Sequence, residues 1–219
     1  LSMLAFGLEE TGDYGRAERY GRRGVEQEPH DGWGWHAVAH VMEMQHRRRD
    51  GVAWLTSQTP AWSEGSFLAV HNWWHLALFH LGLGQIDEVL ALVDERILGG
   101  ASPVVLDMID ASAMLWRLQL RGVPVGERWR ALAERWTAVS AHSTYAFNDM
   151  HAMMAFVGAD RMGDAEHLLM VQQHALEGDS DNRLFLREVG IDATRAIHDF
   201  ATGRYADAAE RLRTIRPLA

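Results

Sequence analysis

Two pairs of histidines spaced four apart, His36/His40 and His71/His75, are the residues of this 219-residue chain whose spacing best suits chemistry. On a helix an i, i+4 pair presents both imidazoles on one face. Glu43 lies one turn beyond His40 and makes the first pair a workable N/N/O ligand set, which a second pair would complete. The expected metal ligands are therefore His36, His40, His71 and His75. Without cysteine the expected ions are zinc, iron or manganese rather than a thiolate cluster. Asn72 and Trp74 share the second helix. Further along, Asp107, Asp110 and Arg117 fall in one apolar stretch, and Asn148 and His151 fall in another. The aspartates could ligate, or could orient imidazoles from behind. Glu43, His151 and Asp110 are the candidate proton carriers. The competing reading makes the same side chains a satisfied polar network or a peptide-gripping face. Buried histidine normally finds a partner, and polar inner faces are ordinary in helical repeats.

Composition removes other chemistries. The chain has no cysteine, and all 21 of its basic side chains are arginine. Thiolate nucleophiles, Schiff bases, and lysines of the phosphate-loop or kinase type are thereby excluded. Ser112 has no nucleophile elbow around it, and no glycine-rich phosphate loop occurs. A net charge of −9 argues against nucleic acid, which asks for a basic stripe. Apolar runs fall short of the ~18 residues of a membrane span, and no signal peptide is visible.

Apolar residues recur at three and four, as in Val38, Val41 and Met42, and strand signals are nearly absent. The pattern predicts helices over 1–11, 14–27, 32–46, 49–58, 66–83, 86–97, 103–121, 126–140, 145–158, 162–177, 183–201 and 205–216. Short punctuators separate them, among them Gly12-Asp13, Gly82-Leu83-Gly84 and Thr202-Gly203. Residues at which two helices cross recur at a spacing of twelve: Ala5/Ala17, Ala39/Gly51, Ala77/Val89, Met153/Ala165 and Ala196/Ala208, with Val89 and Met153 too large for the strict small-residue pattern. From Ala17 to Gly51 is 34 residues, the tetratricopeptide period, and from Gly51 to Val89 is 38. The expected fold is all-α: an α-solenoid of about six antiparallel helix pairs, a degenerate tetratricopeptide-like superhelix. Residues 1–219 are expected to form a single array and a piece of a longer one, since both ends fall within helical pattern. In such an array the first helix of each pair lines the concave face. His36, His75, Asp110 and His151 then occupy nearly equivalent places in four consecutive repeats. Trp73 and Trp74 cannot share a helix face, so one is expected in the core and the other at the groove. Arg47-Arg48-Arg49 reads as a solvated turn.

The stretches HAVAHVMEM (36–44), HNWWHLALFHL (71–81), LDMIDASAMLWRLQLRGVPVGERW (106–129) and FNDMHAMMAFVGA (147–159) resemble the tetratricopeptide repeat protein 38 family. GLEETGDYGRAE (7–18) fits as well, so the likeness covers essentially the whole chain. It implies a degenerate helical array, cytoplasmic and longer at both ends, and it carries no settled activity. The leading functional expectation is a helical-repeat binding protein. Its groove, lined by His36, His40, Glu43, His71, Asn72, Trp74, His75, Asp107, Asp110, Arg117, Asn148 and His151, would engage a peptide, a protein partner or a small polar molecule. The alternative is a metal-dependent or acid–base enzyme acting on a small molecule at the His-x3-His pairs. A homodimer through exposed helix ends is a further expectation.

Overall fold

A computed structural model describes residues 1–99, 102 and 104–218. Among the described residues it is helical throughout, with no strand, and no helix there is long and apolar enough to cross a membrane. The chain divides into two compact units, Leu1–Ala101 and Ser102–Ala219.

The first unit contains α1 (Ser2–Glu10), α2 (Tyr14–Gln27), α3 (Gly32–Met44), α4 (Arg48–Thr56), α5 (Thr59–Ser63), α6 (Ala69–Gly82) and α7 (Ile86–Leu92), which runs on through a wider turn at Val93–Ile97. Predicted boundaries hold to within about three residues, with α5 as the exception. That short helix starts at Thr59-Pro60, where proline suits a first turn, and exists to seat Trp62. The Trp62 indole is fully buried and donates to the Leu55 carbonyl at 2.9 Å. No local periodicity announces five residues whose purpose is one aromatic plug.

Aspartate caps set where the early helices begin. Asp13 accepts from the Arg16 amide at 3.2 Å, and Asp31 accepts from the Trp33 amide at 3.1 Å. The second cap fixes the start of α3 and so the placing of His36 and His40 along it. The core between α3, α4 and α6 is built from Trp35, Val38, Met42, Leu55, Trp62, Leu76 and Phe79. The residues picked out at the crossings, Ala5, Ala17, Ala39, Gly51, Ala77 and Val89, are all buried. At Gly51 a Cβ would stand 2.4 Å from the Phe79 ring, so nothing larger lets α4 approach α6 this closely.

The second unit contains α8 (Val105–Leu120), α9 (Arg128–Val139), α10 (Ala146–Gly158), α11 (Met162–Ala175), α12 (Asn182–Phe185), α13 (Ile191–Ala201) and α14 (Tyr205–Ile215). A wider turn at Leu186–Gly190 joins α12 to α13, matching the single helix predicted over 183–201. Met114, Leu115, Leu118, Trp129, Leu132, Trp136, Met153 and Phe156 are buried in this unit. Ser112 is a packing residue: its hydroxyl donates to the Met108 carbonyl at 2.7 Å and accepts from the Trp136 indole at 2.9 Å.

Candidate metal centre

α3 and α6 each carry one His-x3-His pair, and the first unit holds the two pairs face to face. Two contacts near the N-terminus of α3 set this register. The buried Asn72 amide donates to the Gly32 carbonyl at 3.3 Å, tying α6 to the start of α3. A Cβ on Gly32 would meet the Ser66 hydroxyl at 2.5 Å, so glycine lets the segment before α6 come this near. Asn72, expected to line a groove, is fully buried and makes this contact between α6 and α3.

The result is a four-imidazole cluster. His36, His40, His71 and His75 each offer a ligand atom, and those atoms all lie within 4.8 Å of one another. Ring centroids are 4.3 Å apart for His36 and His40, 5.0 Å for His36 and His75, 4.7 Å for His40 and His75, and 4.8 Å for His71 and His75. His36 and His75 are each 4% exposed, and neither ring nitrogen of either has a hydrogen-bond partner among the described residues. His40 and His71 are half-buried and form the more open side.

Aromatic rings enclose the cluster. Phe6 of α1 stacks on His36 at 5.4 Å, Trp33 meets His36 edge-on at 5.5 Å, and Trp74 stacks on His71 at 5.6 Å. Trp73, its neighbour, packs into the core against Trp62 at 4.6 Å, which is the division expected of adjacent tryptophans. This apolar wall sets the charge state. Burial, with His40 and His71 close by, pushes the His36 imidazole down to about 2. Burial and then His71 push His40 down to about 4. Burial and the three neighbouring histidines hold His75 well below the ordinary range. These three rings are therefore neutral at pH 7, the form in which histidine ligates metal.

A buried, unsatisfied polar group costs about 1–3 kcal/mol, and such groups in native structures call for a reason. Four convergent imidazole nitrogens supply one. Nitrogens around a tetrahedral ion at ~2.0–2.1 Å stand about 3.4 Å apart. Four imidazoles suit zinc, copper, nickel or iron better than manganese, which prefers carboxylate and water oxygens. The four clustered groups are the four histidines expected from their spacing. Glu43 has a buried carboxylate oxygen without a hydrogen-bond partner among the described residues, but it is not one of the four clustered groups.

One residue of the site was not singled out in the sequence. Glu9 of α1 is 5% exposed, and its Oε2 lies 3.4 Å from His40 Nδ1. Burial, and then Glu10, push its carboxyl above the usual range. The available signal was its place on the helix. Ser2, Ala5 and Glu9 form the buried stripe of α1, and a carboxylate there breaks an otherwise small and apolar face.

The remaining predicted site residues belong to the second unit. Asp107 and Asp110 are buried on α8, and Arg117 donates to the Ala113 carbonyl at 3.0 Å. His151 Nδ1 donates to the Phe147 carbonyl at 2.8 Å, which leaves Nε2 as the unprotonated nitrogen. Burial lowers the His151 pKa, the Phe147 carbonyl partly offsets that, and the Arg117 cation lowers it further. Asn148 is half-buried on α10, while its neighbour Asp149 is buried and accepts from Ser143 at 2.5 Å and Gln172 at 3.0 Å. Arg47, read as part of a solvated turn, is instead held by Glu18 at 2.6 Å and Asp50 at 2.9 Å. No family model matches the chain, and no solved structure matches it.

Proposed function

We propose that this is a metal-binding helical protein in which His36, His40, His71 and His75 hold one divalent late first-row ion. The observation that carries the reading is the buried pair His36 and His75, with four ring nitrogens lacking partners among the described residues and two further imidazoles alongside. A satisfied polar network would have left those nitrogens hydrogen-bonded. A peptide-binding groove would use the histidines as separate hydrogen-bonding groups along an open face, whereas here they turn toward one another. A bound ion would polarise a small polar molecule, or a water, that reached it from the half-buried side of His40 and His71. Glu43 is the nearest of the expected proton carriers in sequence, one turn along α3 from His40. The tetratricopeptide-like superhelix, and kinship with the tetratricopeptide repeat protein 38 family, belong to the same proposal. The burial of the crossing residues supports the array, and the resemblance of the blocks at 36–44, 71–81, 106–129 and 147–159 supports the family reading.

The test is elemental analysis of tag-free protein, as purified and after reconstitution with zinc, nickel or copper, beside the doubly substituted His36→Ala/His75→Ala protein. About one equivalent in the wild type and none in the variant is the expected result. No stoichiometric metal in the wild type after reconstitution would overturn the proposal.

A further inference from the structure

The contact between α1 and α3 places a carboxylate behind one of the four imidazoles. Glu9 is buried, its Oε2 faces His40 Nδ1 at 3.4 Å, and that oxygen has no hydrogen-bond partner among the described residues. Glu9 projects from the buried stripe of α1, next to Phe6, whose ring packs against both His36 and His40. The packing that walls the cluster therefore also aims the carboxylate at it.

We propose that Glu9 is a positioning residue for the metal centre: it accepts a hydrogen bond from His40 Nδ1–H and so presents His40 Nε2 to the ion. This rests on the metal-binding reading above. The physical basis is tautomer choice. A neutral imidazole carries one proton, and a carboxylate acceptor at Nδ1 holds it there, so the lone pair is at Nε2. The carboxylate also makes the imidazole a stronger donor to the ion. It would further set a negative charge beside the imidazole that would hold a cation, in an aromatic surround where that charge would be poorly screened. The 3.4 Å separation is longer than the about 2.7–3.2 Å of a formed N–H···O hydrogen bond, so the proposed bond requires the two groups to draw together. Glu10 and His40 also lie near Glu9, and the three could in principle gather an ion of their own. Glu10 is exposed, however, and Glu9 Oε2 is the oxygen aimed at the imidazole, so positioning is the use the geometry favours.

The experiment measures cobalt(II) affinity and visible absorption for the wild type, Glu9→Gln and Glu9→Ala. In parallel, the His40 imidazole N–H resonance is recorded in the zinc-loaded proteins. Glu9→Ala is expected to weaken cobalt binding 10–100-fold, the usual effect of losing such a partner. Glu9→Gln keeps an acceptor oxygen and should recover part of that loss. In the wild type the Nδ1–H signal should be shifted downfield and protected from exchange; in Glu9→Ala it should be lost to exchange. A merely structural role would leave that resonance and the cobalt spectrum unmoved while lowering stability. If the wild type binds cobalt, and both variants bind it equally with the same spectrum, the positioning role is refuted and the four-histidine site stands. If the wild type itself binds no cobalt, zinc or nickel, both proposals fall.

Discussion

Replacing His75 by leucine should make the metal-free protein more stable, the opposite of what a large buried substitution usually does. His75 is 4% exposed on α6, amid His36, His40 and His71 and against Trp74 at 5.2 Å, and its two ring nitrogens find no hydrogen bond among the described residues. In the folded metal-free chain these groups have left water without compensation, at about 1–3 kcal/mol for an unsatisfied buried polar group. Leucine has a similar volume, adds apolar burial and removes that penalty, while forfeiting ring contacts worth about 0.5–1.5 kcal/mol. The net expectation is a gain of about 1–2 kcal/mol, or about 2–8 °C in Tm for a chain of this length. The assay is thermal and urea unfolding in a chelator, then in excess zinc. Wild type should gain about 2.7 kcal/mol when zinc stands at a hundred times its dissociation constant, and His75→Leu should gain nothing. Stability would have been traded for a site, as strained or under-satisfied functional centres generally require. A variant less stable than wild type in chelator, with zinc inert toward both, would refute the reasoning, because the ring would then be serving the fold.

Acid should act on this cluster through the unfolded state. The His36, His40 and His75 pKa values lie below the ordinary 6.5 in the folded chain, so their contribution to stability is complete above about pH 6.5. It declines as pH falls below that value, by up to about 1.4 kcal/mol per pH unit per histidine. Chelator-treated wild type should therefore lose urea resistance between pH 6.5 and 5 faster than His75→Leu does. The same shifts limit proton competition for metal. Zinc affinity measured by competition titration should fall less than about tenfold between pH 7 and 5.5, where four ordinary imidazoles would lose thousands-fold. In the second unit, burial raises the Asp199 carboxyl, but hydrogen bonds from Arg211, at 2.8 Å, and from Arg204 outweigh it and hold the pKa below the usual range. Asp199→Asn should cost about 1.5–3 kcal/mol at pH 7 in urea unfolding, and the difference should close as pH drops below about 3.9. Gly51→Ala drives a methyl into the Phe79 ring and should destabilise the first unit by about 1–3 kcal/mol, read as a lower unfolding midpoint.

How much of this was legible before the fold can be traced residue by residue. Helix positions followed from the 3.6-residue period and from punctuators such as Gly12-Asp13, because amphipathic spacing and capping are local properties. The crossing residues followed from size alone: only small side chains let backbones approach, and Gly51 under Phe79 shows how little room there is. The His-x3-His pairs were legible for the same reason, since a spacing of four places both rings on one helix face whatever the helix packs against.

What one helix does to another was not written locally. The sequence left the two pairs as possible ligands, as a hydrogen-bonded network or as a peptide-binding face, because nothing in α3 alone says which way α6 turns. The turn of α6 goes with the Asn72–Gly32 hydrogen bond and the close approach at Gly32, and one ligand atom from each of the four rings lies within 4.8 Å of the others. Burial then decided their chemistry. Packed beside Phe6, Trp33 and Trp74, His36 and His75 are only 4% exposed, so protonation becomes expensive and their nitrogens lack partners among the described residues. Glu9 stayed hidden because its role depends on α1 lying against α3, a long-range contact with no local signature beyond one carboxylate on a buried stripe. Residue types and spacings determined which ligands were available; only tertiary packing, by setting distance and desolvation together, decided that four of them share one centre.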